Sequence, residues 1–143
     1  MKRTITALAV GGLLLTAGCS SNDAKSETKQ LNGLQSYATV QELADDLAAG
    51  GIECDRTERR DTSKYAAESI SCFNNGHEYV LNIHLSEKDR DAQVSVNETL
   101  LGSAGLSYGV ISGTNWTVNC GDPDRCQTVK QIIGGKVTAE KGK

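Results

Sequence analysis

Five cysteines and two histidines are the residues of this 143-residue chain with the sharpest chemistry. Cys54, Cys72, Cys120 and Cys126 form an even set, and in an exported chain such a set reads as two disulfides. Of the possible pairings, Cys54–Cys72 with Cys120–Cys126 is favoured, because each pair falls within one local unit. His77 and His84 could complete a zinc site in number. The spacings argue against it, since neither Cys-x-x-Cys nor His-x₃-His occurs. No metal and no cofactor is therefore expected. Cys19 stands apart from the other four.

Hydrolytic chemistry needs a nucleophile held against a base. His77 falls in a predicted turn and His84 on the outer face of a predicted strand. Seven positions apart on one strand, they would project to opposite faces. No Gly-x-Ser-x-Gly elbow is present, and exposed surface histidine is the plainer reading of both. Asp45-Asp46 and Asp89 with Asp91 read as solvated helix faces, not as the buried carboxylate pair of glycoside hydrolysis. No run of acids fits a calcium loop. Gly121-Asp122-Pro123-Asp124 is a turn and helix cap. Asn97-Glu98-Thr99 and Asn115-Trp116-Thr117 match the glycosylation sequon only by chance. The expectation is a chain that is not an enzyme.

Lys2 and Arg3 begin the chain, Ile5 to Gly18 carries no charge, and Ala17-Gly18 leads into Cys19. A basic start, a short apolar run and small residues make the secretory signal pattern, and the run is too short to span a bilayer. Leu15-Thr16-Ala17-Gly18-Cys19 resembles the lipobox of bacterial lipoproteins, with Thr16 where that family usually has Leu. The resemblance implies a signal peptide over 1–18, diacylglyceryl transfer to the Cys19 thiol, cleavage before it, and acylation (palmitate) of the new amine. Cys19 would then be the lipid attachment residue, and the chain a secreted component of the bacterial envelope held at the cell membrane. Two or three acyl chains hold firmly where one alone binds marginally.

The chain bears 15 basic and 18 acidic residues, a formal charge of −3. The leader carries two of the basic residues and no acidic one, so a processed chain is more acidic still. Nucleic acid is thereby excluded as a partner, since it demands clustered basic charge. Anionic head groups give no attraction either, so the membrane would be reached through the lipid on Cys19.

Residues from Ser20 to about Leu34 are almost entirely polar and bury too little to offset their ordering entropy. The sequence thus predicts a lipidated, disordered tether over 19–38 and one globular domain over 39–143. A flexible coil of that kind would hold the domain roughly 20–25 Å from the membrane. Thr39-Val40-Gln41-Glu42 is a capping box for a helix from Val40 to Ala49, whose Val40, Leu43, Ala44 and Leu47 share one face. Gly50-Gly51 ends it. Ile52 to Arg56 enters a first strand carrying Cys54, and Asp55 to Lys64 is a solvated loop of mixed charge.

Glu78 to Leu85 alternates strictly, and Asn75-Gly76 suits a two-residue type I′ turn before it. That turn sets Cys72 opposite Tyr79, Ile70 opposite Leu81 and Glu68 opposite Ile83. Ser86 caps a second helix running to about Leu101 and burying Ala92, Val96 and Leu100. Strand follows at Val110-Ile111 and Trp116-Thr117-Val118, with Trp116, Val118 and Cys120 inward. Asp122 and Pro123 open a last helix with Cys126, Val129, Ile132 and Ile133 buried. The predicted fold class is α+β: a small antiparallel sheet of about four strands with three helices packed mainly on one face, stapled by two disulfides.

Gly113-Thr114-Asn115-Trp116 through Cys120 and Cys126 to Gly134-Gly135-Lys136-Val137 is similar to small actinobacterial or phage-encoded lipoproteins, whose Gly-x-Asn-Trp strand precedes a cysteine-stapled helix. The similarity covers about 25 residues and carries no settled activity. The leading functional expectation is a membrane-anchored extracytoplasmic lipoprotein acting as a non-enzymatic binding or interaction module, with an envelope or phage protein as partner. The alternatives are a prophage-type superinfection exclusion lipoprotein and a small envelope enzyme using a histidine.

Overall fold

A computed structural model describes residues 30–61 and 64–143. The expected signal peptide over 1–18, Cys19 and the expected tether up to residue 29 lie outside the described residues. Helix α1 (Val40–Ala49) is followed by strands β1 (Arg56–Arg59), β2 (Glu68–Asn74) and β3 (His77–Ile83). Then come α2 (Glu87–Asn97), a π-helical turn (Glu98–Gly102), β4 (Tyr108–Ser112), β5 (Trp116–Asn119), α3 (Pro123–Ile133) and β6 (Lys136–Glu140). The six strands make one antiparallel sheet in the order β1-β2-β3-β5-β4-β6.

Local chemistry accounts for the helix ends. The Thr39 hydroxyl accepts from the Glu42 amide, while the Glu42 carboxylate reaches past the cap to the Ala38 amide at 2.8 Å. Ser86 and Asp122 cap α2 and α3 in the same way, accepting from the amides of Asp89 and Arg125. Asn75 and Gly76 have φ of 49° and 79°, the left-handed pair a type I′ turn requires. The register that follows is the one the turn implies, with Cys72 opposite Tyr79 and Ile70 opposite Leu81.

The core lies on one face of the sheet, under α1 and α3. Leu43 and Leu47 from α1 and Cys126, Val129 and Ile133 from α3 meet Leu81, Ile111, Trp116 and Val118, all fully buried. The disulfides Cys54–Cys72 and Cys120–Cys126 are part of it, the first joining the approach to β1 to β2, the second joining the end of β5 to the first turn of α3.

Three expectations are corrected here. The sheet has six strands, not about four, because β1 (Arg-Thr-Glu-Arg) and β6 are edge strands with no buried residue and so carry no alternation of apolar type. Only α1 and α3 share the core face. Helix α2 crosses the opposite face, over β4 and β5, where Asn97 meets Asn119 at 3.2 Å and Arg90 donates to the carbonyls of Gly113 and Thr114. It buries no residue completely, and Leu100, in the π-helical turn that continues it to Gly102, is 64% exposed. A helix bearing Gln93, Ser95 and Asn97 among its few apolar residues has no stripe with which to enter a core.

The third correction concerns the domain boundary. The end of the segment expected as tether belongs to the fold, as a strap over residues 34–38. Asn115 clasps Tyr37 from both sides, accepting from its N–H at 3.0 Å and donating to its C=O at 2.8 Å. The Trp116 indole donates to the Gln35 carbonyl, Thr114 to that of Leu34, and the Gln35 amide to that of Ile133. Tyr37 is 6% exposed and meets Trp116 edge to face at 6.1 Å. Just upstream, a side chain on Gly33 would meet the backbone of Gly134 and Gly135, one on Gly134 that of Asn32 and Gly33, and one on Gly135 would meet Ser112, Ile111 and Trp116. The low apolar content of 20–34 gives no hint of this docking, which comes from backbone hydrogen bonds and one aromatic ring.

Candidate functional site

Strand alternation puts Val80, Asn82 and, one residue past β3, His84 on the face opposite the core. Their cross-strand neighbours are Ser71 and Ser69 on β2 and Thr117 on β5. Ser69, Ser71, Asn82, His84 and Thr117 are the buried polar side chains of the described residues, and all five fall on this second face. The buried side chains of the first face are the hydrophobic ones. Helix α2 covers the β4–β5 side of the second face, and Arg60 and the Tyr65 backbone close over Ser71 and His84.

Four of these side chains form a ladder with a fixed direction. The Tyr65 carbonyl can only accept, so His84 Nδ1 carries the proton and donates to it at 2.7 Å. His84 Nε2 then accepts from the Thr117 hydroxyl at 3.0 Å. Thr117 Oγ1 in turn accepts from Asn82 Nδ2 at 3.2 Å, and Asn82 Oδ1 accepts from the Ser69 hydroxyl at 2.7 Å. Burial holds the His84 imidazole below its ordinary value of 6.5, the Tyr65 carbonyl working against that shift. The ring is neutral at pH 7.

His84 is thus a buried, hydrogen-bonded residue and not the exposed one its place on a polar-looking strand face suggested. Its pairing with Thr117 has the outline of a base and a hydroxyl, but Thr117 is fully buried and His84 is 2% exposed. Exposed His77 begins β3, while His84 lies beyond the strand's other end. The structure does not bring them together.

Beside α2 the second face opens into a groove of about 410 Å³. Ser69, Val80, Asn82 and Asn119 make its floor, Gln93, Val96 and Asn97 of α2 one wall, and Arg60, Lys64 and Tyr65 the other. Asn119 is aimed by its bond to Asn97 and by accepting from the Gly121 amide at 2.9 Å. Arg60 is tied to Ser71 at 3.0 Å and Glu78 at 3.1 Å. The Lys64 ammonium stands 5.3 Å above the Tyr65 ring and has no carboxylate partner among the described residues. Among the described residues no acid lines the groove. On the other side of α2 a wider depression of about 680 Å³ is lined by Glu87, Asp91 and Glu98, with Arg90 and Lys136 as cations.

The four disulfide cysteines lie away from this groove and have no free thiol to offer it. Among the described residues no group of three His, Cys, Asp or Glu could hold a metal ion. Asn97 and Asn115, the two sequon asparagines, are both engaged within the fold. Ser69, Asn82, Thr117 and Asn119 were missed in the sequence because a polar strand face reads as a solvated one. The signal available was His84 itself, two positions from Asn82 on the same face. No protein-family model, no curated protein and no solved structure matches the chain.

Proposed function

We propose that the chain is an extracytoplasmic lipoprotein, anchored to the cell membrane through lipid on Cys19, whose folded domain is a non-enzymatic binding module working through the groove beside α2. One observation carries the binding reading: every buried polar side chain of the described residues lies on the sheet face that floors this groove. Burying such groups stabilises little even when they are hydrogen-bonded, so an apolar face would serve stability at least as well. Anchoring is supported by the leader and by the small residues before Cys19. Among the described residues no helix is long and apolar enough to cross a membrane, so on this reading attachment falls to the lipid.

Two measurements test the two halves. Radiolabelled palmitate should enter the full chain and be lost in Cys19→Ser; incorporation that survives the substitution refutes the anchor. Hydrogen exchange of the full chain, with and without solubilised envelope extract, should show added protection at Val80, Asn82, Asn119 and the 93–97 turn of α2. Unchanged exchange there refutes the binding module.

A further inference from the structure

We propose that the groove beside α2 binds a carboxylate-bearing saccharide. The inference rests on the binding-module reading above and adds a ligand class to it.

Three features select that class. The floor and the helical wall are dominated by the carboxamides of Asn82, Gln93, Asn97 and Asn119. The oxygens of Asn82, Asn97 and Asn119 already accept from Ser69, Asn119 and Gly121, so these three carboxamides face a ligand as N–H donors, which suit the lone pairs of sugar hydroxyls. Asn82 uses one N–H toward Thr117, and Asn119 one toward Asn97, so each keeps a second N–H for a ligand. Only Val80 and Val96 are aliphatic, too little apolar area for a hydrophobic side chain or an acyl group.

An extended peptide is disfavoured by the strands themselves. The floor strands β2, β3 and β5 are paired on both sides, so no backbone edge is open for strand addition. Charge supplies the third feature. In a chain with more acids than bases, the described residues of this lining include two cations and no acid. Arg60 is neutralised by Glu78, which leaves Lys64 to meet an anionic group, with the Tyr65 ring beneath it. A carboxylate at Lys64 would gain a charge-assisted hydrogen bond, and the sugar hydroxyls would then lie over the amides. The volume of about 410 Å³ falls in the range of small-molecule sites.

Saturation-transfer NMR on the full chain in detergent tests this with N-acetylmuramic acid, with N-acetylglucosamine as its neutral counterpart, and with inorganic phosphate added as competitor. N-acetylmuramic acid should receive saturation, and N-acetylglucosamine should bind about tenfold more weakly for want of the charged hydrogen bond. Lys64→Glu, at an exposed position, should abolish the preference without lowering the melting temperature, and Lys64→Arg should keep it. Equal binding of the neutral sugar, displacement by phosphate at equal concentration, or a preference untouched by Lys64→Glu would each overturn the proposal. Absence of transfer to either sugar would overturn it as well. If envelope extract still protects the groove from exchange in that case, the binding module stands and only the ligand class falls.

Discussion

Replacing Asn115 with alanine asks whether the strap is part of the fold or merely lies on it. The side chain makes two bonds to the backbone of Tyr37, at 3.0 and 2.8 Å. A neutral hydrogen bond contributes about 0.5–1.5 kcal/mol net. Asn115 is half-buried, so water can partly replace it, and the lower half of the doubled range applies: about 1–2 kcal/mol. A second effect competes. If the strap detaches, Tyr37 leaves Trp116 and its bond to Asp46, and the loss approaches the roughly 3–5 kcal/mol of deleting a buried aromatic side chain. Urea unfolding of the oxidised protein separates these cases. A loosened clasp lowers the midpoint at constant slope, whereas a detached strap also lowers the slope, because less surface remains to be exposed. Asn115→Asp keeps the acceptor for the Tyr37 N–H and loses the donor, so it should show about half the loss. A midpoint for Asn115→Ala equal to that of the wild type would refute the assignment of the strap to the fold.

Gly134 has φ of 72° and a backbone neighbour, Asn32, where a side chain would project. Gly134→Ala should therefore cost upwards of ~1 kcal/mol and expose the Tyr37 amide to faster hydrogen exchange; unchanged exchange would show that the glycine contact does not hold the strap. His84 gives a pH signature. Its folded-state pKa lies below 6.5, so the unfolded chain takes up the proton first, and the stability His84 contributes is full above pH 6.5 and lost as pH falls toward the folded value. The stability difference between wild type and His84→Gln should accordingly shrink between pH 7.5 and pH 5.5; a difference that does not change with pH would mean the ring is not held neutral.

Much of the scaffold was legible in the sequence. Thr39, Ser86 and Asp122 as caps, Asn75-Gly76 as the turn, the β2–β3 register and the favoured disulfide pairing all rest on interactions between residues close along the chain. Local geometry of this sort needs no knowledge of what packs above it. The edge strands β1 and β6 were not legible, since an edge strand is held by backbone bonds to one neighbour and its side chains can be anything soluble. The mixed charge from Asp55 to Lys64 was read as a solvated loop after a strand over Ile52 to Arg56, whereas the strand, β1, falls at Arg56–Arg59 within that stretch, and Arg60 and Lys64 become a groove wall only when β1 pairs with β2.

Sequence by itself determined which residues alternate, where helices start and stop, and which cysteines are near enough to join, because those depend on spacing along one segment. It also carried, in Gly113-Thr114-Asn115-Trp116, a motif whose purpose could not be read from its own letters. Tertiary structure decided that purpose, since Thr114, Asn115 and Trp116 grip a strap some 80 residues away. It likewise decided that a polar strand face should be buried. Whether Asn82 and His84 meet water or Thr117 depends on where α2, Arg60 and Tyr65 come to lie, and no pattern within β3 records that.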